Sequence, residues 1–171
     1  CGFGFVLANK TTTEALIRKI TVTKPGPGGG TITGGNPTGI NCGATCTAGF
    51  PKGTVVTLNA VADSVSVFTG WSGGGCTGTG PCMLTITGDT EVSASFVRIE
   101  YDLIVNKVGL GEVLRSNDGP YYYGDEVQLT ALSTSGWSFD SWSGDFSGSS
   151  NPINITIDNN KEITATFTED W

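Results

Sequence analysis

The chain has 171 residues, a formal net charge of −7, 26 glycines and no histidine. Its nine basic residues are scattered singly, so the sequence predicts no nucleic-acid partner and no attraction to an anionic membrane surface. No apolar run reaches the ~20 residues that cross a bilayer. The absence of histidine removes the usual general base and most zinc sites, so we expect no enzyme, no cofactor and no metal centre.

The first predicted element is an extended leader, residues 1–19. Its start alternates strictly, with one apolar face formed by Phe3, Phe5 and Leu7. Such a strand needs a partner, and donation to the sheet of a neighbouring subunit is a recurrent solution. Head-to-tail donation does not close, so it builds filaments. The alternatives are a leader that folds back onto its own repeat and a remnant of an adjoining domain.

An internal repeat follows the leader. Residues 53–96 and 124–167 align without a gap at an offset of 71, and the alignment continues upstream at an offset of 81, from Val22 with Leu103 to Ile32 with Val113. The sequence therefore predicts two modules, repeat one (residues 20–97) and repeat two (residues 101–168). The shared positions are apolar or glycine, which indicates a scaffold rather than a catalytic centre. Its predicted core aromatic residues are Phe68, Trp71, Phe96, Phe139, Trp142 and Phe167.

Each repeat has the period-two pattern of five or six short strands, and only residues 11–19 show a weak helical pattern. The predicted fold class is all-β: two tandem small antiparallel modules, with Ig-like or β-grasp-like sheets, preceded by the extended leader strand. Gly88–Asp89 and Asn159–Asn160 are predicted to supply positive φ angles for a hairpin before the last strand.

Repeat one has ten extra residues between Ile32 and Gly53, which we interpret as a loop elaboration outside the core. Four cysteines belong to repeat one, and their short spacings favour the bridges Cys42–Cys46 and Cys76–Cys82 among three possible pairings. Disulfides indicate an oxidising, extracytoplasmic compartment. Cys1 is left over, and lipid attachment, an intermolecular bridge and an expression boundary all remain open for it.

Some residues of repeat two have ligand chemistry. Tyr121, Tyr122, Tyr123 and Trp137 occur only in this repeat, so they are candidates for a glycan-binding surface, or else they alternate between core and solvent. The Asp and Asn clusters at Asp140, Asp145 and Asn151, at 117–118 and at 158–160 lack the spacing of a calcium loop and are typical of turns. Two sequons begin at Asn9 and Asn154.

Five motifs together carry a family resemblance: Gly39-Ile-Asn-Cys-Gly-Ala-Thr-Cys46, Gly53-Thr-Val-Val-Thr-Leu58, Phe68-Thr-Gly-Trp-Ser-Gly73, Cys76-Thr-Gly-Thr-Gly-Pro-Cys82 and Val92-Ser-Ala-Ser-Phe96. They resemble the divergent internalin-type B-repeat family of secreted bacterial proteins over nearly all of residues 20–168. Repeat one looks like its cysteine-bearing variety, and repeat two, with Ser141-Trp-Ser-Gly144, like the cysteine-free one. The resemblance implies an all-β module used in strings on extracellular proteins, generally without catalytic activity.

Together these features predict a secreted or cell-surface structural protein without enzymatic activity. Its expected partners are copies of itself, through the leader strand, or other surface proteins. The alternative is a glycan-binding or adhesin module that uses the Tyr/Trp surface of repeat two.

Overall fold

The structure is a computed structural model that describes residues 16–35, 39–43 and 45–171, with the backbone alone at Cys42 and Thr45. The assignments made to Cys1, Phe3, Phe5, Leu7 and Asn9 lie outside the described residues. Two compact units divide the chain between Val97 and Arg98. The described residues contain no helix, so the predicted all-β fold is confirmed and the weak helical pattern is wrong from Ile17 onward.

Eight strands build the first unit: β1 (Ile17–Thr23), β2 (Gly30–Gly34), β3 (Ile40–Cys42), β4 (Thr45–Pro51), β5 (Val55–Ala62), β6 (Ser66–Ser72), β7 (Cys82–Thr85) and β8 (Thr90–Arg98). Eight more follow: β9 (Glu100–Tyr101), β10 (Leu103–Val108), β11 (Gly111–Arg115), β12 (Tyr121–Tyr122), β13 (Glu126–Ser133), β14 (Trp137–Gly144), β15 (Ile153–Thr156) and β16 (Lys161–Glu169). Alternate residues of the long strands are buried, as in Val92, Ala94 and Phe96 of β8.

Each repeat is a sandwich of two sheets around one core. The sheets of repeat one have the orders β4-β1-β8-β6 and β3-β2-β5-β7, and a single hydrophobic cluster contains residues of both. Repeat two has the orders β10-β16-β14 and β11-β13-β15, again over one cluster, with a short β12-β9 pair. The described residues of each repeat thus form a sandwich of sheets alone, without the helix that a β-grasp would pack against its sheet.

One ladder in each repeat departs from the predicted antiparallel pairing. The first strand runs parallel to the last, β1 with β8 and β10 with β16. Parallel strands need a crossover connection, and here the chain crosses to the second sheet and back between them. Period-two patterning shows that strands exist but not which strands become neighbours.

The registers correct the upstream alignment of the two repeats. In repeat one Ile20 pairs with Thr90, and in repeat two Leu103 pairs with Lys161, the counterpart of Thr90. The counterpart of Leu103 is thus Ile20 rather than Val22. The lysines agree: Lys24 Nζ donates to the carbonyl of Gly30 at 3.1 Å, and Lys107 Nζ donates to that of Gly111 at 3.0 Å. Repeat one therefore has two further extra residues, in the loop between β1 and β2.

The predicted hairpin before the last strand is also wrong. None of Gly88, Asp89, Asn159 and Asn160 has a positive φ. The strands that flank these turns lie in different sheets, so no tight hairpin is required. Asp89 and Asn160 instead accept a hydrogen bond from a backbone N–H, from Lys19 N in β1 at 2.9 Å and from Asp102 N just before β10 at 3.0 Å.

The insertion of repeat one is part of its core, which overturns the loop interpretation. It forms β3, which pairs with the outer edge of β2, and β4, which pairs with the outer edge of β1. Ile40 is 3% exposed and Phe50 is 7% exposed, and both belong to the core cluster. The alternation of small polar and apolar residues in this stretch was too weak to reveal two strands.

Candidate functional surfaces

The aromatic residues shared by both repeats are structural. Phe68, Trp71 and Phe96 pack together, with the Phe68 ring 5.3 Å from that of Trp71 and 5.1 Å from that of Phe96. Their counterparts Phe139, Trp142 and Phe167 repeat this triad, at 5.1 and 5.8 Å.

The indole nitrogen atoms of Trp71 and Trp142 also have hydrogen-bond partners. Trp71 Nε1 donates to the Gly80 carbonyl at 2.8 Å, and Trp142 Nε1 donates to the Ser150 carbonyl at 2.9 Å. Trp71 is 5% exposed and Trp142 is 2% exposed, so neither face is open to a sugar.

The predicted ligand residues of repeat two are not brought together. Tyr121 is 5% exposed and takes the place of Phe50, because it pairs with Tyr101 as Phe50 pairs with Arg18. Trp137 pairs with Glu169, at the C-terminal end of β16. The tyrosines lie near the other end of β16, where Lys161 pairs with Leu103. Eight residues of strand separate these two ends by roughly 26 Å.

The two remaining tyrosines form a smaller exposed feature. The Arg98 guanidinium carbon lies 5.4 Å from the Tyr122 ring centre, and Tyr122 Oη donates to Glu100 Oε1 at 3.4 Å. Tyr123 is 59% exposed. Without Trp137 and Tyr121, the four residues do not make the single stacking platform that a glycan surface requires.

The acidic and amide clusters cap backbone groups, as their turn-like composition predicts. Asn151 both accepts from Ala131 N at 2.9 Å and donates to the Ala131 carbonyl at 2.7 Å. Asp145 accepts from Glu162 N at 2.6 Å, and Asn117 accepts from Gly119 N at 3.3 Å. Asn154 of the described sequon is exposed on β15 and accepts from Gln128.

The cysteines belong to repeat one. Cys76 is bonded to Cys82, and both are buried. Cys46 is disulfide-bonded as well, while the side chain of Cys42 lies outside the described part of the chain, so the Cys42–Cys46 pairing stays a prediction.

The described residues lack both a metal-binding cluster and a membrane-spanning helix. No group of three or more His, Cys, Asp or Glu side chains is placed to hold a metal ion among residues 16–35, 39–43 and 45–171. Over the same ranges, no helix has the length and apolar character needed to cross a membrane.

The two repeats differ most at one corner of the sandwich, where β3 and β4 lie in repeat one. In repeat two only the two-residue β12 corresponds to β4, and no strand among the described residues pairs with the outer edges of β10 and β11. A cavity of about 240 Å³ lies between these edges, lined by Val105, Lys107, Glu112, Val113 and Arg115. We call these two edges and this cavity the open corner.

Burial confirms that the corner of repeat two is less covered. Val22 and Ile32 are each 1% exposed in repeat one, whereas their counterparts Val105 and Val113 are only half-buried. A second cavity of about 280 Å³ shares Arg115 with the first and extends along residues 100–104. The open corner is thus a depression between two strand edges, lined by two valines and three charged side chains.

Fold and surfaces together define a class: a tandem β-sandwich repeat protein whose shared aromatic residues build cores. The model of the divergent InlB B-repeat domain matches residues 20–100 and 101–170. The chain therefore belongs to the divergent InlB B-repeat family, as its motifs predicted.

One solved structure has a similar fold, and a second gives a weaker match. The Bacillus anthracis TIE protein matches with a TM-score of 0.55 and 9% identity over 90% of this chain, which spans about a third (34%) of that protein. The major pilin protein (T-13) from Streptococcus pyogenes matches with a TM-score of 0.40 and 12% identity, covering 90% of this chain and 97% of the pilin. Comparison with curated proteins found no match.

Proposed function

We propose that this chain is a non-enzymatic structural subunit of an extracellular or cell-surface assembly, which polymerises when its leader strand is added to the sheet of another copy. The two repeats supply two compact units, the first of which contains a disulfide. Phe3, Phe5 and Leu7 supply the adhesive face of the leader. The proposed binding partner is a second copy of the same chain, and assembly requires no small-molecule ligand.

The observation that carries this proposal is that the described residues of repeat one, from residue 16 onward, already form a two-sheet sandwich around a buried core. Its β1 lies inside its sheet, paired with β4 on one side and with β8 on the other. The eight strands that the structure describes in this unit all begin at residue 17 or later. We infer that the apolar segment ahead of this sandwich acts in another molecule, where it is added to the edge of a sheet.

The family supports the same reading, since B-repeat modules are surface structural or adhesin-type components. The shared aromatic and Asp/Asn positions of the described residues are used in cores and turns, which agrees with a role in architecture rather than catalysis. Burial of three large apolar side chains is worth about 1.5 to 3 kcal/mol each before the cost of ordering them.

The first experiment compares the purified chain with a variant that lacks residues 1–10, by negative-stain electron microscopy and by mass-resolved size-exclusion chromatography. We expect filaments or a ladder of oligomers from the full chain and monomers from the shortened one. Monomers from both at high concentration would overturn the proposal.

A matched pair of variants tests whether assembly depends on the apolar face of the leader or only on the presence of the leader. Phe3→Ser with Phe5→Ser removes two side chains of that face and should abolish assembly. Gly2→Ser with Gly4→Ser places the same two residues on the opposite face and should leave assembly unchanged. Cys1→Ser in every sample removes any intermolecular bridge as an explanation.

A further inference from the structure

We propose that the open corner of repeat two is the acceptor, and that its occupant is the leader strand of a second copy. This inference rests on the proposed function and adds the site to it. The leader would pair with the outer edge of β10 and place its apolar face in the cavity between β10 and β11.

Repeat one shows what this corner holds when it is filled. There β4 runs antiparallel along β1 from Ile17 with Pro51 to Thr23 with Thr45. Cys46, Ala48 and Phe50 alternate along β4 and pack against the core. The natural occupant of the corner is therefore an extended segment with an apolar residue at every second position.

Repeat two keeps the same frame but lacks most of that segment. Tyr121 replaces Phe50 at one end, and beyond it the edge of β10 from Leu103 to Asn106 corresponds to the part of β1 that β4 covers. Backbone N–H and C=O groups along such an edge are a template for one more strand. Half-buried Val105 and Val113 form the apolar floor that the missing strand would cover.

The leader has the required pattern. Phe3, Phe5 and Leu7 repeat the period of Cys46, Ala48 and Phe50, and residues 1–9 contain no charged side chain. The strand would thus bring no unpaired charge to the cavity, next to Lys107, Glu112 and Arg115. The depression of about 240 Å³ leaves room for a side chain of the leader against Val105 and Val113.

A donor on repeat one and an acceptor on repeat two also fit a polymer. The leader is covalently joined to β1, whereas the open corner belongs to the second compact unit. Donor and acceptor surfaces are therefore different, and such a heterologous contact propagates head to tail.

The test mixes two variants that each retain one half of the contact. The first lacks residues 1–10, so it keeps the acceptor without the donor, and it retains every described strand because β1 begins at Ile17. The second carries Val105→Asp, which places a charge on the floor of the corner but keeps the leader. We expect each alone to be monomeric and the mixture to give a one-to-one heterodimer and no longer species.

The matched control is Ile104→Asp, on the neighbouring residue of β10, whose side chain is 51% exposed. This variant should polymerise like the unmodified chain. If Val105→Asp polymerises as well, or if the mixture stays monomeric while the unmodified chain forms filaments, the acceptor lies elsewhere and the proposed function survives. If the unmodified chain forms no oligomer, the proposed function itself fails.

Because Val105→Asp could fail to fold, a second measurement tests the acceptor without any substitution in the open corner. Hydrogen exchange compares the filament with the chain that lacks residues 1–10. We expect the amides of Leu103–Asn106 to exchange on the order of tenfold more slowly in the filament. Equal exchange of this segment in the two samples would rule out the β10 edge as the acceptor. Protection in the unmodified monomer would show that the leader fills the corner of its own chain and would equally overturn the proposal.

Discussion

Gly30 and Gly111 hold the same place in the two repeats, each against a buried phenylalanine. A Cβ atom on Gly30 would lie 2.3 Å from the Phe96 ring, and one on Gly111 would lie 2.4 Å from the Phe167 ring. Both phenylalanines are almost completely buried, so the rings have no room to withdraw. These glycines are needed for packing rather than for an unusual backbone angle.

We expect Gly30→Ala to lower the free energy of unfolding by about 1 to 3 kcal/mol, because the added methyl group overpacks the core. Urea denaturation measures the change. The control is Gly80→Ala, since a Cβ on Gly80 meets nothing within 4 Å, and its effect should stay within about 0.5 kcal/mol. Equal effects of the two substitutions would contradict the packing role.

Of the six predicted core aromatic residues, the structure buries Trp71, Phe96, Trp142 and Phe167 and leaves Phe68 and Phe139 partly buried. Tyr121 occurs in one repeat only, so the sequence alone leaves open both a ligand surface and an alternation between core and solvent. Tyr121 fills the site that Phe50 fills in repeat one. The equivalence was hidden because the insertion between Ile32 and Gly53 masks the alignment there.

At the scale of elements, the insertion of repeat one closes the corner that repeat two leaves open. Its strands β3 and β4 extend both sheets of the sandwich, and its buried residues complete the core. A sequence comparison sees only extra residues, whereas the registers show two added strands. Their contribution to stability can be measured directly.

Ile40→Ala should destabilise repeat one by about 2 to 5 kcal/mol, as expected for removal of a fully buried isoleucine side chain. Asn41→Ala, on the exposed neighbouring residue of β3, should change the free energy of unfolding by less than about 0.5 kcal/mol. Denaturant unfolding followed by circular dichroism distinguishes the two. If Ile40→Ala were as harmless as Asn41→Ala, the insertion would be the loop that the sequence first predicted.

At the scale of the molecule, two compact units of the same architecture differ in how they are stabilised. Repeat one contains the Cys76–Cys82 bridge and the disulfide-bonded Cys46, while repeat two has no cysteine at all. Removal of a disulfide should therefore lower the stability of repeat one and leave that of repeat two unchanged.

We expect Cys76→Ala with Cys82→Ala to destabilise repeat one by about 2 kcal/mol, the contribution of a short cross-linked loop. The melting temperature of repeat one should fall by roughly 10 °C. Hydrogen exchange resolved by repeat measures this, and repeat two serves as the internal control. Equal loss of protection in both repeats would show that the two units unfold as one.

By itself, the sequence determined the tandem repeat, the all-β class and the family. These properties are local or periodic, and two aligned copies in one chain make them visible. The tertiary structure decided the parallel first-to-last ladder, the true counterpart of Leu103, the separation of Trp137 from the tyrosines and the open corner. Those features depend on which strands become neighbours, and that is settled by sheet packing between residues far apart in the chain.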